Sequence, residues 1–248
     1  MEVYALTDTG RVRTMNQDYI YSSPEMVGSL PNLFLVADGM GGHKAGDFAS
    51  RFAVENLVVH ITKMEKNSVI SQLKKGIQVI NQALYQESLT RDELKGMGCT
   101  LVAAVVEDRT LYVANVGDSR LYLIHGDSIH QVTRDHSYVE EMVAMGQMSR
   151  NSEDYKSHKN LITRAMGAGI HVEPDFFEEE LQEGDYILLC SDGLSNMLDD
   201  EGILHIITGE GTLKDKAFRL IKEANCQGGM DNIAVVLVDP LGKEAEGC

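Results

Sequence analysis

The chain is poor in positive charge. Lys and Arg number 22 against 38 Asp and Glu, a formal net charge of −16 over 248 residues. Nucleic acid and anionic membrane surfaces both call for basic patches, so this balance argues against either as a partner. No apolar run reaches the ~18 residues that would span a bilayer. The opening residues, Met1-Glu-Val-Tyr-Ala-Leu6, lack the basic start of a secretory signal. A soluble, cytoplasmic protein is therefore expected. Cysteine is scarce: Cys99, Cys190, Cys226 and Cys248 form no CxxC pair, and the first two sit in apolar runs. Buried, reduced thiols fit this better than disulfides or a zinc site. Neither a fixed-period repeat nor a linker of domain-boundary composition interrupts the chain. One domain over residues 1–240 with a polar tail at 241–248 is the simplest organisation.

What the chain has instead is one dense stretch, residues 33–50. Leu33-Phe-Leu-Val-Ala37 is an apolar run bounded by Asn32 and by glycine, which predicts a buried strand. Asp38 follows at its C-terminal end. Gly39, Gly41 and Gly42 come next, so the backbone there can approach a neighbour very closely. Ala45, Phe48, Ala49, Phe52, Ala53 and Leu57 then recur at helical spacing. A carboxylate at a strand end, beside open carbonyls and a helix N-terminus, is suited to hold a cation and a phosphate. An ordinary Asp-Gly turn would look the same in isolation.

Strands are expected at residues 3–7, 19–21, 33–37, 100–106, 111–116, 121–124, 129–132, 186–190 and 233–238. Helices are expected at about 44–63, 68–88, 201–208 and 213–224, the last preceded by Thr212 and Asp215 in capping-box spacing. The four strands between residues 100 and 132 are joined by short turns, which predicts an antiparallel meander with Asp118 at a hairpin tip. There Asp is common for local reasons. Residues 146–159 read as a polar surface flap with a short helical turn, and Glu178 to Glu180 as a solvated edge.

Asp38, Asp192 and Asp231 occupy comparable places. Two end buried strands and one opens another, and each has a glycine beside it. If the strands are neighbours, the three converge at one end of the sheets. Converging carboxylates without a Cys/His cluster suit hard divalent cations such as Mg²⁺ or Mn²⁺. Two such ions roughly 3.5–4 Å apart activate water and bind a phosphoryl group. Arg13 is then either a solvated surface arginine or a fork of donors for phosphate oxygens. Asp18 is either a turn former or part of the same site.

Gly10-x-x-Arg13-x-x-Asn16-Gln17-Asp18, Asp38-Gly-Met-Gly-Gly-His43, Gly117-Asp118-Ser119-Arg120, Ser191-Asp192-Gly193-Leu194 and Gly229-x-Asp231-Asn232 stand in this order. Together they resemble the metal-dependent type 2C protein phosphatases, the PPM family, in their bacterial form. The resemblance covers nearly the whole chain. Each motif alone is weak; the ordered set is specific. It implies an α+β fold, a four-layer α-β-β-α sandwich of two packed antiparallel sheets flanked by helices. It implies hydrolysis of phosphoserine and phosphothreonine on proteins by a metal-activated water in a binuclear Mn/Mg site. Asp38 would bridge the two metals, the Gly39 carbonyl would complete one coordination sphere, and Asp192 and Asp231 would hold the other ion. Asp18 would act through metal-bound waters, Asp118 with Asp192 would form a third-metal site, and Arg13 would bind substrate phosphate. The flap would tune substrate choice.

Eukaryotic members carry a His directly after the first Asp-Gly, proposed as general acid; here that position is Met40 and His43 stands three residues on. His43 is a candidate proton donor or a residue that caps and packs the helix start. The partners implied are phosphorylated proteins, including a Ser/Thr kinase and its substrates, met by a monomer. Rival readings are a phosphoprotein-binding relative without activity, a phosphatase dedicated to one switch protein, and another two-metal hydrolase such as a nuclease. The acidic charge opposes the last.

Overall fold

The computed structural model describes residues 1–42 and 44–242. Among them, eleven strands form two antiparallel sheets. The first sheet has the order β1 (Glu2–Asp8), β11 (Ile233–Asp239), β10 (Tyr186–Cys190), β7 (Arg120–His125) and β8 (Ser128–Gln131). The second has the order β2 (Asp18–Ser23), β3 (Leu33–Met40), β5 (Leu101–Glu107), β6 (Thr110–Val116) and β9 (Asp175–Glu180), with the short β4 (Gly98–Cys99) paired to the end of β3. Helices α1 (Lys44–Thr62) and α2 (Val69–Thr90) cover the outer face of the six-stranded sheet. Helices α6 (Asp200–Thr208) and α7 (Leu213–Cys226) cover that of the five-stranded sheet. The short helices α3 (Tyr138–Ala144), α4 (Glu153–His158) and α5 (Asp192–Ser195) lie outside these layers' main helix pairs.

The layering follows from the period of two along each strand. In β3, Leu33, Leu35 and Ala37 face the α1–α2 side, while Phe34 and Val36 face the other sheet. In β11, Ile233, Val235 and Leu237 face α6 and α7, while Ala234, Val236 and Val238 face the other sheet. A strand buried on both faces reads as a continuous apolar run, which is why no alternation was visible in the sequence. The expected four-layer α-β-β-α sandwich is the one observed. None of the described helices is long and apolar enough to cross a membrane.

Local signals near the helix ends were accurate. Ser68 caps α2 by accepting from the Ser71 N–H. Thr212 and Asp215 form a reciprocal capping box at the start of α7. Three expectations are corrected. The strand bearing Asp38 continues through Gly39 and Met40, which pair with Cys99 and Gly98. The acidic run Glu178 to Glu180 is the solvated edge expected, with Glu178 and Glu180 exposed, but no strand was expected there and it ends β9, the outer strand of its sheet. Acidic residues have low strand propensity, and charge on an edge discourages pairing with another chain.

The third correction concerns residues 100–132, which are not one meander. β5 and β6 form a hairpin in one sheet and β7 and β8 a hairpin in the other, and the chain crosses between sheets at residues 117–119. Asp118 and Ser119 are therefore buried, not at an exposed tip. Gly117 makes the crossing with φ +105°, and a Cβ there would stand 2.6 Å from the Thr100 side chain. A short turn specifies that the chain reverses, but the choice of sheet depends on partners distant in sequence. The tail is ordered at least to Gly242: Leu241 packs on the inter-sheet core, and the Gly242 N–H donates to Asp239.

Leu189 lies fully buried between the sheets on the central strand β10. Leu189→Ala is expected to cost about 2–5 kcal/mol. The urea midpoint should fall at unchanged m-value.

Candidate active site

The site is built where strand ends of both sheets meet. In the β2–β3 pairing Asp18 stands directly opposite Asp38. Asp192 stands two residues after the end of β10, past Ser191, and opens α5, and Asp231 stands two residues before β11. The Asp38 and Asp192 carboxyls are close enough to feel each other's charge. The Ser191 hydroxyl donates to Asp18 Oδ2 at 2.6 Å, and Asn196 donates to Asp192 Oδ2 at 2.9 Å. The other oxygen of each, Asp18 Oδ1 and Asp192 Oδ1, is buried without a hydrogen-bond partner among the described residues. Buried orphan carboxylate oxygens are rare and mark a place where an ion or water is expected.

Electrostatics point the same way. Burial pushes Asp18 up to about 8, with Asp192 and Asp231 adding repulsion. Burial likewise holds Asp38 well above the usual carboxylate range, reinforced by Asp18 and Asp192. Asp118 is pushed up to about 8 by burial and then by Asp192 and Asp135. Asp192 is raised by burial and by Asp231. Such a group of like charges is relieved by nearby positive charge. The donor set is all oxygen, which fits Mg²⁺ or Mn²⁺. No three Asp, Glu, His or Cys side chains among the described residues close on one point as a ready cage.

Arg13 lies at the rim, half exposed, and donates to Asp231 Oδ2 at 2.6 Å. Its fork carries donors beyond the one that Asp231 takes. Asp118 and Asp192 share a cleft of about 200 Å³ with Tyr155 and Lys159 of the expected flap. The flap is clamped: Glu140, nearly buried, accepts from Arg150 at 2.6 and 3.1 Å and from the Tyr155 hydroxyl at 2.7 Å. His43 lies outside the described residues.

The close backbone approach expected at the Asp38 glycines is present at Gly39, and motif glycines elsewhere make it too: the neighbour in each case is the backbone of another segment. A Cβ on Gly10 would stand 2.2 Å from the Asp231 carbonyl, one on Gly193 1.9 Å from that of Asn232, and one on Gly39 2.0 Å from that of Gly46. The Gly39 carbonyl in turn lies against Gly46 in the first turn of α1.

Several residues were not singled out beforehand. Asn232 Oδ1 accepts from the Gln17 N–H at 2.8 Å, and its Nδ2 donates to the Thr9 and Met15 carbonyls. It thereby ties down the arm that carries Arg13. The Thr100 hydroxyl accepts from the Asp38 N–H and shares a 2.7 Å hydrogen bond with Ser119. Asn232 stood in a quoted motif, but no local pattern marked Thr100 or Lys159.

Carboxylates gathered at one end of a two-sheet sandwich describe the architecture, and similarity to known proteins shows the family. The chain belongs to the protein phosphatase 2C family, whose model matches residues 9–216. It is thus a metal-dependent protein serine/threonine phosphatase by family. It is 40% identical over 251 residues to the protein phosphatase PhpP of Streptococcus pneumoniae, covering 99% of this chain and 100% of that protein. The serine/threonine phosphatase of S. agalactiae superposes with a TM-score of 0.89 at 38% identity, covering 95% of this chain and 98% of that one. The catalytic domain of the phosphatase PstP, in complex with two manganese ions, gives 0.81 at 33% identity, covering 95% and 96%.

Asp118 keeps its proton in the fold up to about pH 8, whereas the unfolded chain releases it near 3.8. Between those values the fold binds the extra proton, so this group's contribution to stability falls as pH rises. In chelator-treated protein, Asp118→Asn is expected to gain melting temperature relative to wild type on going from pH 5 to pH 8. Scanning calorimetry at both pH values would show this, and a constant difference would refute it.

Proposed function

We propose that this chain hydrolyses phosphoserine and phosphothreonine in proteins at a binuclear Mn²⁺ or Mg²⁺ site, opposing a Ser/Thr kinase. The observation that carries this reading is the group of buried Asp18 and Asp118 and half-buried Asp38 and Asp192, with its raised pKa values and two carboxylate oxygens without a partner among the described residues. Two divalent ions supply there a water acidic enough to attack at neutral pH and positive charge for the phosphoryl oxygens. Asp38 would bridge them, Asp192 and Asp231 would hold one, and the Gly39 carbonyl the other. Asp18, fixed by Ser191, would hold waters around them. Asp118 with Asp192 would accept a third ion. Arg13 would bind the phosphate oxygens as charge builds on them during in-line attack. His43 is a proton-donor candidate for the leaving oxygen. Residues 1–240 would serve as one catalytic unit, acting as a cytoplasmic monomer on phosphoproteins, the kinase among them. The manganese-bound relative supports the choice of ions.

With Mn²⁺ present, hydrolysis of p-nitrophenyl phosphate and of a phosphothreonine peptide is expected, and chelator should abolish both. Asp192→Asn should lower kcat/KM by at least ~100-fold. Activity that survives chelator and this substitution would sink the reading. Arg13→Ala is expected to lower kcat/KM by about 10²-fold through lost phosphate binding, with metal affinity retained in calorimetric titration.

A further inference from the structure

The five-stranded sheet ends in β8, which pairs with β7 alone. The turn Gly126-Asp127 makes His125 and Ser128 the closing hydrogen-bonded pair of the hairpin. In the alternation of an antiparallel ladder, the N–H and C=O of Ile129 and Gln131 then point away from β7. Neither residue finds another backbone partner among the described residues. An open edge of this kind is a template for one more strand.

The edge forms a wall of a cleft of about 620 Å³, with Arg134, Arg150, Tyr155 and Asp200 around it. This cleft adjoins the carboxylate site. Arg120, Asp135 and Tyr155 line both it and the smaller cleft that holds Asp118 and Asp192. Of its charges, Arg120 is taken by Asp135 and Arg150 by Glu140. Arg134, exposed at the end of the hairpin, has no ion-pair partner among the described residues. On a chain of net charge −16, a free guanidinium beside the site is the local exception that an acidic segment needs. Asp200 lines the same cleft and disfavours a second acid beside itself.

We infer that the open edge of β8 and Arg134 form the groove for the substrate polypeptide flanking the phosphorylated residue. The segment lies extended along β8 as an added strand, with one acidic side chain against Arg134. Main-chain pairing gives affinity without regard to sequence, and Arg134 gives the preference. This rests on the phosphatase reading of the adjoining cleft and adds to it a substrate class: phosphothreonine in an extended segment with an acidic flank.

The test uses the Mn²⁺-loaded full chain, three probes and two variants. The probes are p-nitrophenyl phosphate, a phosphothreonine peptide with neutral flanks, and the same peptide with one acidic residue stepped through the flanks. For wild type, one acidic position should lower KM roughly tenfold, about one close charge pair. Arg134→Glu should erase that advantage while leaving p-nitrophenyl phosphate hydrolysis unchanged, and Arg134→Lys should retain part of it. N-methylation of the peptide backbone should raise KM at alternate positions only. Equal KM for all peptides, unmoved by Arg134→Glu, with p-nitrophenyl phosphate still hydrolysed, overturns the groove alone. An N-methylation effect without alternation overturns the added strand. Failure to hydrolyse p-nitrophenyl phosphate overturns the phosphatase reading and the groove with it.

Discussion

Four aspartates, Asp18 and Asp118 buried and Asp38 and Asp192 half-buried, crowd one another at one end of two packed sheets. That is an unfavourable arrangement for any fold left to itself. Each carboxyl loses hydration, and each faces the charge of the others. The rest of the structure reads as the apparatus that holds them there. The inter-sheet core and the two helix-covered cores supply the burial energy, and the strands deliver the carboxylates in fixed register. The strain stays local because the neighbouring hydroxyls and amides, Ser191, Thr100 and Asn196, satisfy part of the polar groups but leave one oxygen of Asp18 and of Asp192 unmatched.

Holding loops from both sheets in one place is a packing problem as well as an electrostatic one. Gly10, Gly39 and Gly193 solve it by lacking a Cβ where a carbonyl of another segment stands about 2 Å from where one would be. Asn232 adds the polar tie, spanning from the start of β11 to the arm that carries Arg13. A chemistry-bearing motif and a structural one are therefore the same stretch of chain in each case. Change in either role would disturb the other.

Around this centre the flap and the β8 edge face outward. The flap, pinned through Glu140, Arg150 and Tyr155, sits between the carboxylate cleft and the larger cleft beside β8. Under the proposed function, chemistry would be separated from recognition: the carboxylates and Arg13 would deal with a phosphate common to all substrates, while the flap and the β8 edge would meet what surrounds it.

By itself the sequence determined the apolar runs that make the strands, the capping box at Thr212, the list of carboxylates, and through the ordered motifs the family and its sandwich. These signals are local, carried by side-chain period, turn chemistry and residue identity within a few positions. The tertiary structure decided what depends on contacts between distant segments. It sent β7 and β8 into the other sheet at Gly117, so that Asp118 became buried instead of exposed. It turned Glu178 to Glu180 into an edge strand. It set the motif glycines against one another's backbones, tied Asn232 to the arm of Arg13, and brought Lys159 and Tyr155 over the carboxylates. None of these has a short-range signature, because strand partner and loop contact are chosen by burial and register across the whole chain.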